Sequence, residues 1–114
     1  MDRLKGVSMG VDYGYEKFYK VLNYAVGSAD PVQRRLEVVL SGIGHLLRDS
    51  FPDDGTWKRF ETLLNRCTSQ VALENEGAIA ATTSQMSNEE AIKWLREVFS
   101  ILMGISEAYS RTKQ

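Results

Sequence analysis

One stretch constrains the fold more than any other, residues 87–109, which read SNEEAIKWLREVFSILMGISEAY. Apolar residues recur there at the three- and four-residue spacing of an α-helix and cover half of the helical cylinder or more. A helix this apolar is normally buried between neighbours, so we expect it to be the central helix of a bundle. Its core stripe is predicted to be Ile92, Leu95, Phe99, Leu102 and Ser106, widened by Ala91, Trp94, Val98, Ile101, Ile105 and Tyr109.

The start of this helix carries a capping signal. Ser87 followed three residues later by Glu90 is typical of a capping box. In that motif the hydroxyl accepts a hydrogen bond from the amide three residues on, and the carboxylate reaches back to the cap amide. The acidic first turn and Arg111 near the far end suit the helix dipole. We therefore place the start of the helix at Ser87.

Capping residues and apolar spacing predict three further helices before this one. The first is predicted at 13–26 with Asp12 as its cap, the second from Asp30-Pro31 to Phe51-Pro52, and the third from Thr56 to Val71. Residues 1–11 are expected to be a flexible N-terminal segment. Residues 72–86 are either a long connection or include a short fifth helix at about 74–84, and both alternatives stay open. The predicted fold is all-α, a single-domain antiparallel bundle of four main helices over 1–114.

The first predicted helix has a second apolar stripe, and the second has two internal glycines; both features require an explanation. The first helix has a core stripe of Tyr15, Phe18, Tyr19, Leu22 and Ala25 and a second, mixed stripe that includes Tyr13, Val21 and Tyr24. The second stripe indicates either a helix that is simply well buried or a self-association surface. The second helix should turn its apolar residues inward as far as Leu46 and Leu47. Its Gly42 and Gly44 indicate close approach of a neighbouring helix or a kink.

Bulk properties narrow the class of protein. Of the 114 residues 43% are hydrophobic and 25% charged, which is ordinary globular composition, and the chain has a formal net charge of −1 and one cysteine. A single cysteine cannot form an internal disulfide, so we expect a reducing, cytoplasmic setting. No apolar run reaches the ~18 residues of a membrane span. Phosphate-binding, catalytic zinc and paired-cysteine motifs are absent from the sequence, so no cofactor, metal or small-molecule substrate is predicted.

The residues that carry chemistry do not form a catalytic constellation. His45 is the only histidine, and the only carboxylate near it in sequence that could orient the imidazole is that of Asp49. Cys67 falls on the apolar stripe of the third helix, where a cysteine usually serves packing. We predict no catalytic residues and a protein that is not an enzyme, with a small enzyme as the less favoured alternative.

Charge placement gives the better functional signal. The predicted second and third helices expose cations, five of them arginines, which suit bidentate contacts to phosphate or carboxylate. Lys58, Arg59 and Arg66 are predicted to share one face that holds no acid. The predicted site for an anionic partner comprises Arg34, Arg35, His45, Arg48, Lys58, Arg59 and Arg66.

These observations favour a non-catalytic helical interaction or regulatory module that binds a macromolecular partner. We expect self-association as a homodimer, with Tyr13, Val21 and Tyr24 as the contact residues, because two-fold pairing lets an apolar patch cover its own copy. The alternative is binding to the backbone of duplex RNA or DNA through the basic face of the second and third helices. No motif resembles a known family closely enough to carry residues over.

Overall fold

A computed structural model describes residues 10–70 and 77–112, with the backbone alone at Thr112. Its helices are α1 (Val11–Gly27), α2 (Val32–Ile43), α3 (Asp54–Cys67), α4 (Ala78–Thr83) and α5 (Asn88–Thr112), with a 3₁₀ turn at Arg48–Ser50. The predicted all-α bundle of four main helices is confirmed, and α4 settles the alternative left open for 72–86 in favour of a short fifth helix. Residues 1–9 of the predicted flexible segment, Val71 and the rest of 71–76 lie outside the described residues.

α5 is the central helix, as predicted, and packs against α1, α2 and α3. It runs antiparallel to α1, because the Tyr15 ring near the start of α1 stacks on Tyr109 near the end of α5, with centroids 4.7 Å apart. It also runs antiparallel to α3, whose last turn brings Arg66 to Glu90 in the first turn of α5. The short α4 packs on α2 and α3.

The buried face of α5 is rotated from the predicted one. Ala91, Val98, Ile101, Leu102, Ile105 and Ala108 are buried, whereas Phe99 is 55% exposed and Ile92 39%. The prediction that Phe99 lies at the centre of the core stripe is wrong. Apolar residues surround more than half of α5, and its neighbours cover the side that carries Val98, Ile101 and Ile105, so Phe99 on the other side stays half in water.

α2 ends earlier than the sequence predicted, at Ile43 rather than before Pro52. Gly42 and Gly44 each weaken the helix by roughly 1 kcal/mol against alanine, and Gly44 occupies the C-cap. The chain then turns, so that Leu46 is buried but Leu47 is 62% exposed, against the prediction that both face inward. Close approach explains Gly42, because a Cβ there would lie 2.5 Å from Cγ1 of Val21 on α1.

Helix starts differ from prediction by one to three residues. The N-cap positions of α1, α2 and α3 are Gly10, Pro31 and Asp53, in place of the predicted Asp12, Asp30 and Thr56. The Asp53 carboxylate accepts hydrogen bonds from the amide and the hydroxyl of Thr56, both at 2.7 Å. Aspartate is a better N-cap residue than threonine, so α3 begins three residues earlier than predicted.

One of the two hydrogen bonds of the predicted capping box is formed at the start of α5. The amide of Glu90 donates to the Ser87 hydroxyl at 3.1 Å, as predicted. The Glu90 carboxylate is turned toward α3, where it pairs with Arg66, and it also accepts from Nε1 of Trp94 at 3.5 Å. A cation on a neighbouring helix therefore takes the place of the cap amide as its partner.

An aromatic cluster closes the end of the bundle where α2 and α3 are joined. Phe51, in the connection, packs edge-on to Phe18 of α1 at 6.0 Å between centroids, and tilted on Phe60 of α3 at 4.7 Å. The preceding residue, Ser50, lies against α1 so closely that a Cβ on Gly14 would be 2.3 Å from the Ser50 carbonyl oxygen. Gly14 therefore sets how near this connection can come to α1.

Candidate interaction surface

Exposed apolar residues are concentrated on one side of the bundle. Among the described residues, six large hydrophobic side chains are exposed. Five of them come from the adjacent helices α1 and α5, and we call them the α1–α5 surface: Tyr19, Val26, Ile92, Phe99 and Met103. The sixth is Leu47, in the connection after α2. Scattered exposed apolar residues are normal on proteins, but five on one helix pair form a patch of the kind that marks binding sites.

Two adjoining hollows lie in this surface. The larger, about 410 Å³, is lined by Leu22, Ala25, Val26, Val32, Arg35, Ile92, Leu95, Arg96 and Phe99. The smaller, about 220 Å³, is lined by Tyr19, Leu22, Asn23, Val26, Phe99 and Leu102. Phe99 and Val26 line both hollows and stand between them. The surface is therefore a shallow apolar groove with projecting side chains, a shape that receives side chains of another polypeptide.

The charges that line the two hollows are of one sign. Arg35 and Arg96 lie at the end where α1 finishes, and no carboxylate lines either hollow. Arg35 is held in place because its Nε donates to the Asp30 carbonyl at 2.9 Å and its guanidinium lies 3.5 Å from the Ala25 carbonyl. An apolar floor with a fixed cation at its rim favours a partner with apolar anchors and acidic flanks.

The residues predicted for self-association lie on the other side of α1, against α2 and its flanking connections. The Tyr13 hydroxyl is 3.0 Å from Nε2 of His45, and Val21 packs on Gly42. The Tyr24 hydroxyl donates to the Asp30 carboxylate at 3.0 Å. Tyr13, Val21 and Tyr24 are each half-buried and make these contacts within the chain, so self-association through them stays a prediction. The α1–α5 surface is the more exposed apolar area.

Four of the seven residues predicted for an anionic partner form separate ion pairs. Arg34 pairs with Glu37 at 3.0 Å, and Arg48 with Asp54 at 2.9 Å. Each of these two pairs joins groups that are near in sequence and partly exposed. Their charges are therefore largely balanced where they stand.

The expectation of an acid-free face on α3 is wrong, because α5 supplies acids to it. Arg59 makes a bidentate contact to Glu97 at 2.8 and 3.0 Å, and Arg66 pairs with Glu90. The sequence could not show this, since the two helices meet only through the tertiary fold. As a site for an anionic partner this face stays a prediction.

Neither His45 nor Cys67 belongs to a catalytic arrangement in the described part of the chain. Nε2 of His45 lies 3.0 Å from the Tyr13 hydroxyl, a contact that the sequence did not indicate. Cys67 is fully buried, and burial raises the pKa of its thiol to about 12, although the nearby Arg66 acts in the opposite direction. A thiol with such a pKa is almost entirely protonated at neutral pH. Within residues 10–70 and 77–112, no group of three or more potential ligands could hold a metal ion.

Comparison of the chain with family models, with curated proteins and with solved structures found no match. None of the helices in the described residues combines the length and the hydropathy that a membrane span requires. The function of the chain is therefore inferred from the geometry and chemistry of its surface.

Proposed function

We propose that this protein is a non-catalytic helical module that acts by binding another protein chain at the α1–α5 surface. The observation that carries the proposal is the placement of five of the six exposed large hydrophobic side chains on that helix pair. Burying apolar area contributes roughly 25 cal/mol per Å². Aromatic residues and methionine are enriched at protein interfaces, and Tyr19, Phe99 and Met103 are of those types.

The surface is also free to bind without loss of the fold. Phe99 and Met103 are each more than half exposed, whereas Val98 and Ile101, on the opposite side of α5, are fully buried. The core of the bundle is thus complete without the α1–α5 surface. A partner would cover side chains that the folded chain leaves in water.

Binding to duplex RNA or DNA, the alternative proposal from the sequence, receives less support. Four of its seven candidate residues are arginines paired with carboxylates, which a phosphate backbone would have to displace. Nucleic-acid affinity depends on unpaired lysine and arginine side chains, which neutralise phosphates and release the counterions of those phosphates.

A reducing, cytoplasmic setting is proposed only on the single free cysteine.

Site-specific photocrosslinking tests the proposal. A photoreactive phenylalanine analogue is placed at Val26 or at Phe99, in cells that make the protein, and Leu47 serves as the matched control because it is equally apolar and exposed. We expect protein adducts from positions 26 and 99 and none of the same mass from position 47. An absence of adducts at 26 and 99, or the same adducts from all three positions, would refute the proposal.

A further inference from the structure

The α1–α5 surface carries both projecting side chains and the hollows that fit them. Val26 is 87% exposed and Phe99 55%, and both border the hollows of about 410 and 220 Å³. A two-fold interface brings a patch against the same patch of a second copy, so projections and hollows must both be present in it. We propose that the partner of this surface is a second copy of this chain, an inference that rests on the proposed function of the surface.

The size of the surface agrees with such a dimer. A stripe of about 17 residues on each helix is about 25 Å long. Two helices packed about 10 Å apart then present a face of roughly 500 Å² per copy. Two copies bury roughly 1,000 Å², which is near the lower limit for a specific interface. We therefore expect a dimer that dissociates at micromolar concentrations.

The charges around the surface select one arrangement of the two copies. Arg35 and Arg96 lie at one end, where α1 finishes and α5 begins. Glu16, in the first half of α1, and Glu107, in the last turns of α5, lie at the other end and are exposed; Glu107 also contacts Arg111 of its own helix at 3.3 Å. When the two-fold axis lies in the plane of the interface and runs perpendicular to the helices, α5 of one copy lies antiparallel on α5 of the other. Arg35 and Arg96 of each copy then face Glu16 and Glu107 of the other, whereas a parallel arrangement opposes the arginines of the two copies.

Sedimentation of the full chain, from low micromolar to near-millimolar concentration, tests the dimer. We expect a reversible monomer–dimer equilibrium. Val26→Lys or Phe99→Lys should each raise the dissociation constant by at least about tenfold, because a charged amine would be desolvated without a partner. Leu47→Lys is the matched control and should dimerise as the wild type does. Circular dichroism verifies that each variant is folded.

Disulfide crosslinking tests the antiparallel arrangement. When Arg96 of one copy faces Glu107 of the other, the axis passes near Met103, which is 54% exposed. Met103→Cys should therefore oxidise to a covalent dimer faster than Leu47→Cys, and the native Cys67 stays silent because it is fully buried. Equal rates would overturn the arrangement.

Two outcomes of the sedimentation experiment would overturn the dimer itself. One is a monomer at every concentration, and the other is an equal loss of association in Leu47→Lys. Both are distinguishable from failure of the proposed function. A monomeric chain that still gives photoadducts with a different protein at positions 26 and 99 would keep the protein-binding surface and exclude a second copy as its partner.

Discussion

The substitution Gly14→Ala tests how closely the connection between α2 and α3 approaches α1. Gly14 is buried within α1, and its added Cβ would lie 2.3 Å from the carbonyl oxygen of Ser50 and 3.1 Å from the Ser50 Cβ. The obstacle is backbone, which cannot rotate away as a side chain can. The connection would have to move by several tenths of an ångström or more, and it also carries Phe51 into the aromatic cluster.

The expected loss follows from two opposing terms. Overpacking costs about 1–3 kcal/mol, and a backbone obstacle places this site near the upper value of ~3 kcal/mol. Alanine returns about 1 kcal/mol of helix propensity relative to glycine. The net loss is then about 2 kcal/mol, which lowers the midpoint of thermal unfolding by roughly 8 °C in a domain of this size.

Gly104→Ala is the matched control, since Gly104 also lies inside a helix. A Cβ there would meet only Thr56, at 3.7 Å, which is ordinary van der Waals contact. The propensity gain of about 1 kcal/mol should then appear alone and raise the midpoint by about 4 °C. Thermal unfolding followed by circular dichroism compares the two variants. If Gly14→Ala is as stable as the wild type or more stable, the connection does not approach α1 in the described way.

Four further substitutions test the core, the cap and the pH dependence. Ile101→Ala should cost ~2–5 kcal/mol because its side chain is fully buried, whereas Phe99→Ala should cost about 1–2 kcal/mol because the ring is half in water; urea titrations that give equal losses would contradict the orientation of α5. Ser87→Ala should cost ~1 kcal/mol through the lost hydrogen bond to the amide three residues on, and an unchanged urea midpoint would show that this cap does not contribute. Hydrogen bonds from Thr56 lower the pKa of the Asp53 carboxyl, so its contribution to stability is present above its unfolded pKa and lost as the pH falls through the lower folded value. Asp53→Asn, which can still cap, should therefore lose less stability than the wild type between about pH 6 and pH 3, and identical acid unfolding curves would contradict this role of Asp53.

Local signals in the sequence predicted the fold class well. The apolar spacing of 87–109 predicted a central helix, and Ser87 predicted its cap. Each of these signals lies within a few residues along the chain and depends only on helical geometry. The same reasoning failed in α2, where the glycines at 42 and 44 indicated a close contact or a kink, whereas the helix ends at Ile43 with Gly44 as its C-cap.

The candidate site was less predictable because it depends on which face of each helix meets a neighbour. Apolar residues surround more than half of α5, so spacing alone could not decide whether Phe99 or Val98 faces the core. On α1, Tyr13 and Tyr24 have the composition of an interface, yet tertiary contacts to His45 and Asp30 occupy them. One signal for the surface is present in the sequence, the excess of apolar residues on α5 over what its neighbouring helices can cover, but that excess does not show which of the residues stay exposed.

The two apolar faces of α5 separate folding from binding. Val98, Ile101 and Ile105 are fully buried against the other helices, so the stability of the bundle depends on them. The side chain of Phe99 points to the opposite side and is 55% exposed, so a substitution there costs the isolated chain less than one at Ile101. Substitutions on the two faces have few shared partners, so their effects on unfolding should be nearly additive. A surface that contributes this little to the fold, while exposing this much apolar area, costs solubility and invites aggregation. The physical balance therefore favours a partner that covers it.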